Sequence, residues 1–254
     1  RTMWKYPEDI TAPVFTPKEH ITSSHASREL QLPETAVLFY MHSGEEFARR
    51  EYPSHLLTEK FPRFLRGCPV YQMDDYNELC FLDGGRGAPQ AVDTLETLSA
   101  LGVQNVVTVG MFGAFGEGVK SGDILIPSKA FVEEGTSLHY YESIDDAEPD
   151  FSLHQRAMQA IPEARSLPIV STDAVYRQTF FKERRWREKG AVGVDMETSA
   201  LFSVGAYLGV RVVSILIASD QHPLQEGKSP WKWTMTSETR SSFFAACLEF
   251  ARQL

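Results

Sequence analysis

Four short apolar stretches constrain this chain more than any other feature: residues 36–41, 79–82, 105–109 and 212–218. Runs of four to eight residues without polar alternation fit strands covered on both faces, as in sheets packed by helices. Each stretch runs directly into polar or glycine-rich sequence, at 42–46, 83–89, 110–118 and 219–220. In open α/β sheets the carboxyl edge of the strands is where ligands bind. Helical spacing appears between these stretches. Ala91, Val92, Leu95, Leu98 and Leu101 lie on one face of a segment that stops at Gly102, and Phe244, Cys247, Leu248 and Ala251 do the same near the C-terminus. Strands and helices alternate with no repeat, low-complexity tract or linker. The expectation is one α/β domain over residues 35–254, behind an N-terminal arm, 1–34, that shows no clear period.

Net charge is −9 over 254 residues, which argues against nucleic acid or an acidic membrane as partner. Cys68, Cys80 and Cys247 are widely spaced and odd in number, the pattern of reduced cysteines packed in a core. No apolar run reaches the roughly 18 residues of a membrane span, and the arm lacks a signal-peptide pattern. A cytoplasmic protein without membrane contact is expected.

Two acids stand out. In Asp195-Met196-Glu197 a glycine-flanked segment delivers two carboxylates just before an apolar, alanine-rich helix. There the Glu197 charge needs either a ligand or a buried ion-pair partner. Asp220 follows the 212–218 stretch, as a site acid or as a turn residue. The expectation is that both face one pocket. Other features are weaker. Arg86 lies inside the glycine loop 84–87. Glu45 and Glu46 are either functional or first-turn acids answering a helix dipole. The glycines of 110–118 do not make a dinucleotide site, because that loop returns to a strand at Ile124 and opens no helix.

Taken in order, Gly85-Arg86-Gly87-Ala88-Pro89, the turn Gly110 to Gly113-Ala114, Gly122-Asp123-Ile124-Leu125, Gly135-Thr136-Ser137-Leu138-His139-Tyr140, Ser171-Thr172-Asp173, Asp195-Met196-Glu197-Thr198-Ser199-Ala200 and Ser219-Asp220 resemble the nucleoside phosphorylase and nucleosidase superfamily. The resemblance covers about residues 79–220. It implies a three-layer α/β sandwich with a central mixed β-sheet flanked by helices, and a homo-oligomer, either a dimer or a trimer of dimers. It implies that Met196 packs under a ribose, that Glu197 holds the ribose hydroxyls, and that Asp220 is the acid that protonates a purine-like base. Burial beside another carboxylate would keep such an acid protonated near neutral pH. Asp195, Gly113, Arg86, Tyr176, Arg177, Gln178 and Phe180 complete the expected substrate site, with Phe180 and Phe181 either stacking on a base or packing as core aromatics.

The resemblance breaks at phosphate. Where phosphorolytic members carry an early Gly-Asp-Pro-x-Arg motif, a strand arginine and a nearby hydroxyl, this chain has His42-Ser43-Gly44-Glu45-Glu46, Thr108 and Met111. Neither Thr108 nor Met111 supplies a charge-assisted donor. Arg86 and Arg49, with Gly110, are the alternative phosphate anchors. Otherwise Glu45 or Glu46 activates water and the enzyme is a hydrolytic nucleosidase. The third possibility is a nucleoside-binding protein without turnover. No metal and no organic cofactor is expected, and phosphate enters as co-substrate if the reaction is phosphorolytic. His20, His25 and Arg63 are candidates to enter a neighbouring subunit's site. Trp231 and Trp233 lie in a loop, 221–235, expected to close the pocket.

Overall fold

The computed structural model describes residues 4–23, 30–76 and 78–254. Among them twelve strands join in one sheet: β1 (Thr35–Phe39), β2 (Ser54–Thr58), β3 (Val70–Met73), β4 (Leu79–Asp83), β5 (Asn105–Ala114), β6 (Ile124–Leu125), β7 (Ala130–Glu133), β8 (Asp146–Ala147), β9 (Ile169–Thr172), β10 (Gly193–Asp195), β11 (Arg211–Gln221) and β12 (Lys232–Trp233). Seven α-helices accompany them: α1 (Pro17–Thr22), α2 (Gly44–Glu51), α3 (Gly87–Ala100), α4 (Phe151–Ala160), α5 (Phe180–Glu188), α6 (Thr198–Leu208) and α7 (Ser237–Ala251). The order β2-β3-β4-β1-β5-β10-β9-β7-β8 contains parallel and antiparallel pairs, so the sheet is mixed. Burial alternates across it. Ala36 and Leu38 face a core shared with α3 and α6, while Val37 and Phe39 face one shared with α2, α4 and α7. The layers are helix, sheet and helix, as the resemblance implies.

The long strand β5 carries the site. Residues 105–109 pair with β1, and β11 runs parallel along its other side. Past Val109, β1 leaves and the antiparallel β10 takes its place, with Val194 opposite Gly113. A fork therefore opens beside Gly110, where one neighbour ends and another arrives. β11 shifts register between Ala218 and Asp220, which sets Asp220 opposite Gly113. Such bulges re-aim side chains next to functional sites.

Two sequence expectations change here. The glycine turn after Val109 is strand through Ala114, because main-chain pairing to β10 and β11 overrides the low strand preference of glycine. The arm is not featureless: Thr16 and Glu19 form a capping box that starts α1, with Pro17 at its first position. His25 lies outside the described residues. No described helix is long and apolar enough to cross a membrane.

Candidate active site

Asp195 ends β10 and is fully engaged. Its carboxylate accepts Ser171 Oγ (2.5 Å), Thr198 Oγ1 (2.5 Å) and the Thr198 amide (3.1 Å), tying β10 to β9 and to the start of α6. Glu197 sits at the N-cap position of α6. Its carboxylate accepts the amides of Gly87 (2.8 Å) and Met196 (3.3 Å) and, among the described residues, joins no ion pair. The buried arginine partner, one of the two readings of this residue, is absent among them. Arg86 is the cation whose field reaches Glu197, but its guanidinium holds the Asp83 carboxylate (3.3 Å) and the Gly85 carbonyl (2.6 Å). Glu197 keeps partial exposure, whereas its carboxyl is crowded by protein atoms. Desolvation, followed by the charge of Asp195, pushes Glu197 well above the ordinary carboxylate range. Tyr40 closes this end. Its ring lies where a side chain on Gly84 would sit, and its buried hydroxyl has no hydrogen-bond partner among the described residues.

Asp220 has the opposite environment. Ser219 Oγ donates to Oδ1 (2.5 Å), and Trp231 Nε1 (2.5 Å) and His222 Nε2 (3.1 Å) converge on Oδ2. Burial would raise this carboxyl, but the three donors and the His222 charge outweigh it and hold Asp220 below 3.8. The expected protonated acid is therefore an ionised acceptor. The missing factor in the sequence reading was the donor set, which burial alone does not reveal. The other His222 nitrogen, Nδ1, meets Glu183 Oε1 at 2.5 Å. Burial would lower His222, yet its two carboxylate partners push it up to about 9. Gly113 makes this packing possible, since a β-carbon there would come within 2.5 Å of His222 Nε2.

Beside Asp220 opens a cleft of about 490 Å³, lined by Tyr176, Gln178, Phe180, Glu183, His222, Trp231 and Trp233 among others. Its size and aromatic walls suit a small planar ligand. Glu197 does not line this cleft. The two acids instead flank β5, because Val194, three residues before Glu197, and Asp220 both pair with Gly113. Another cavity of the same volume, between the arm and α3, holds neither acid.

The remaining expected residues divide. Tyr176, Gln178 and Phe180 reach the cleft; Arg177 ends the short 3₁₀ turn before α5 and does not line it, and Phe181 lies under Arg184 instead. Gly110 packs against Leu216 and Tyr40 at the fork. Arg49 is not a free anion anchor, because it pairs with Glu45 (2.7 Å) and lies over the Tyr71 ring. Glu46 lines a separate hollow of about 230 Å³ between α2 and α7. Thr108 is bonded to Ser214 (2.5 Å) in the core, and Met111 packs against the α2, α4 and α7 side. Arg63 is spent on the carbonyls of Arg66 and Asp83 and on Thr94, so it cannot reach a neighbour. His20 lies tilted against Phe64 at the arm, with ring centroids 5.3 Å apart.

Sequence reasoning missed His222, Glu183 and Tyr40. His222 had a usable signal. It stands two residues after Asp220, just past the end of β11, and a spacing of two puts side chains of an extended segment on one face. Glu183 lies 39 residues from His222 on another element and had none.

A family model described as the phosphorylase superfamily matches residues 51–249. The chain belongs to the phosphorylase superfamily. Among its relatives is a DeoD-type purine nucleoside phosphorylase of Clostridium novyi, 28% identical over 177 residues, which cover 67% of this chain and 72% of that one. A guanosine phosphorylase of Halorubrum lacusprofundi is 30% identical over 146 residues, 56% of this chain and 60% of its own length. The crystal structure of a purine nucleoside phosphorylase from Toxoplasma gondii, in complex with immucillin-H, shares the fold. Its TM-score is 0.74 with 20% sequence identity, covering 88% of this chain and 91% of that one.

Proposed function

We propose that this member of the phosphorylase superfamily cleaves the N-glycosidic bond of a purine nucleoside, with phosphate as the acceptor. The observation that carries the reading is the placement of two unlike acids on either side of Gly113. Uncompensated Glu197 lies on one side and ionised, aromatic-walled Asp220 on the other. Val194 and Asp220 stand two strand spacings apart across Gly113, about 10 Å, and Glu197 follows three residues after Val194. The names of the relatives, purine nucleoside and guanosine phosphorylases, support the same substrate class.

The sugar belongs at the Glu197 end, over Met196. Cleavage leaves positive charge on the sugar, which draws Glu197 toward its ionised form and is stabilised by it in a site of low dielectric. The base belongs in the aromatic cleft, where Asp220 accepts the N7–H that the purine gains as the glycosidic bond breaks. Phosphate is assigned to Arg86, whose half-exposed pair with Asp83 is weak enough to exchange for a ligand oxygen. Trp231 and Trp233 close over the base and exclude water. The active species is proposed to be a cytoplasmic dimer or trimer of dimers.

Hydrolysis is the second reading, favoured by one observation: Thr108 and Met111 are committed to the core. Glu45, whose field reaches Cys68 on the Asp83 side, would then activate water. A panel of purine and pyrimidine nucleosides, assayed with and without phosphate, separates the two. The proposal expects purine release with formation of a sugar 1-phosphate only when phosphate is present. Release without phosphate supports hydrolysis. Binding without release under either condition overturns both and leaves a binding protein.

A further inference from the structure

We propose that His222, gripped between Glu183 and Asp220, is the proton source for the departing base, with Glu183 as its positioning residue. The inference rests on the nucleoside-cleaving reading of the site. A purine leaving group must gain a proton as the glycosidic bond breaks, and Asp220 has none to give. One of its oxygens accepts Ser219 and the other accepts Trp231 and His222. Glu183 on α5 is likewise an acceptor, and its side chain is only 6% exposed. An imidazole ring between two carboxylates can satisfy both only by carrying hydrogen on both nitrogens. The 2.5 Å contact to Glu183 holds Nδ1–H tightly, and the 3.1 Å contact to Asp220 leaves Nε2–H as the looser proton.

The surroundings of the ring are fixed. Glu183 faces it from α5, Asp220 from its own strand, and the Phe115 ring from the end of β5 at 6.5 Å. Arg187, the nearby cation of α5, is turned to the Phe115 carbonyl, and Trp231 reaches Asp220 rather than the ring. Gly113 leaves the space that Nε2 occupies. The elevation of His222 to about 9 agrees with an imidazolium at neutral pH.

The step balances. The bond from C1′ to N9 breaks and its electron pair goes to the base. The Nε2 proton passes through the Asp220 carboxyl to N7, forming N7–H. His222 becomes neutral, with its remaining proton on Nδ1 toward Glu183. The acceptor oxygen captures the sugar, and solvent returns a proton to Nε2 after the base leaves.

The test compares a purine nucleoside with its N7-methylated analogue, whose base already carries positive charge at N7 and leaves without protonation. His222→Gln is expected to lower kcat/KM for the parent by about 10²-fold or more, through kcat. It is expected to change kcat/KM for the methylated substrate by less than about 3-fold. Equal losses on both substrates overturn the role of His222 while leaving the reading of the site intact. Failure of the wild type to cleave either nucleoside overturns the site reading and this role together. Glu183→Gln provides the second measurement, on a side chain of the same shape. The alkaline limb of kcat/KM for the parent should move down from about 9 toward the ordinary histidine value of 6.5. An unmoved limb in a folded variant contradicts the positioning role.

Discussion

Glu197 and Asp220 flank one strand and carry the same functional group, yet the protein holds them in opposite states. Glu197 is desolvated and faces the Asp195 carboxylate, and its two main-chain amides do not offset this, so its proton is retained. Asp220 receives three side-chain donors, one on an imidazolium, so its proton is lost. Depth alone does not account for this difference. The count and charge of donors do, and they give the two flanks of β5 unlike carboxyls, one protonated beside a second carboxylate and one ionised under three donors.

The largest expected effect breaks either end. Glu197→Gln and Asp220→Asn should each lower kcat/KM for a purine nucleoside by about 10²–10³-fold, measured by steady-state base release. If either variant retains near-wild-type turnover, the corresponding end is not catalytic. Next, Arg86→Ala should raise the KM for phosphate by about 10-fold or more with a smaller effect on the nucleoside KM. An unchanged phosphate KM removes Arg86 from the acceptor site. The scaffold under the Glu197 end should be more fragile than that under Asp220. Ser171→Ala leaves the buried Asp195 carboxylate and the Ser199 amide short of a partner, and should cost about 1–3 kcal/mol in urea unfolding. Ser219→Ala leaves Asp220 two donors and should cost less; the reverse order contradicts the comparison.

The smallest effect is in pH dependence. The folded value of His222, about 9, lies above the ordinary 6.5. Its contribution to stability is therefore complete below 6.5 and is lost as pH rises through about 9. Asp220 is lowered, so its contribution is present above its ordinary 3.8 and is lost on acidification below that. Unfolding midpoints should fall between pH 6 and 9.5, and Glu183→Gln should flatten that slope. A wild-type midpoint that rises over the range contradicts the assigned state of His222.

Much of this was legible before the structure. The continuous apolar runs at 36–41, 79–82, 105–109 and 212–218 form β1, β4, the first half of β5 and β11, because uninterrupted burial leaves a residue pattern that no surface segment has. The order of short motifs pointed to the superfamily and to a mixed sheet between helices. The rest failed for identifiable reasons. Glycines at 110–113 gave no strand signal because their pairing is main-chain only. Strand β2 is half exposed and carries no apolar run. Arg63 read as an available cation, but a buried guanidinium that satisfies three acceptors cannot be told from a free one by sequence. The protonation of Asp220 depended on His222 and Trp231 converging on one oxygen.

The division of labour between the two ends is tested most directly by calorimetric titration of a free purine base, which has no sugar, into the wild type, Glu197→Gln and Asp220→Asn. The account predicts near-wild-type base affinity in Glu197→Gln and a loss of about 10-fold or more in Asp220→Asn, the weight of a hydrogen bond to a charged group. Equal weakening in both, or loss confined to Glu197→Gln, would contradict it.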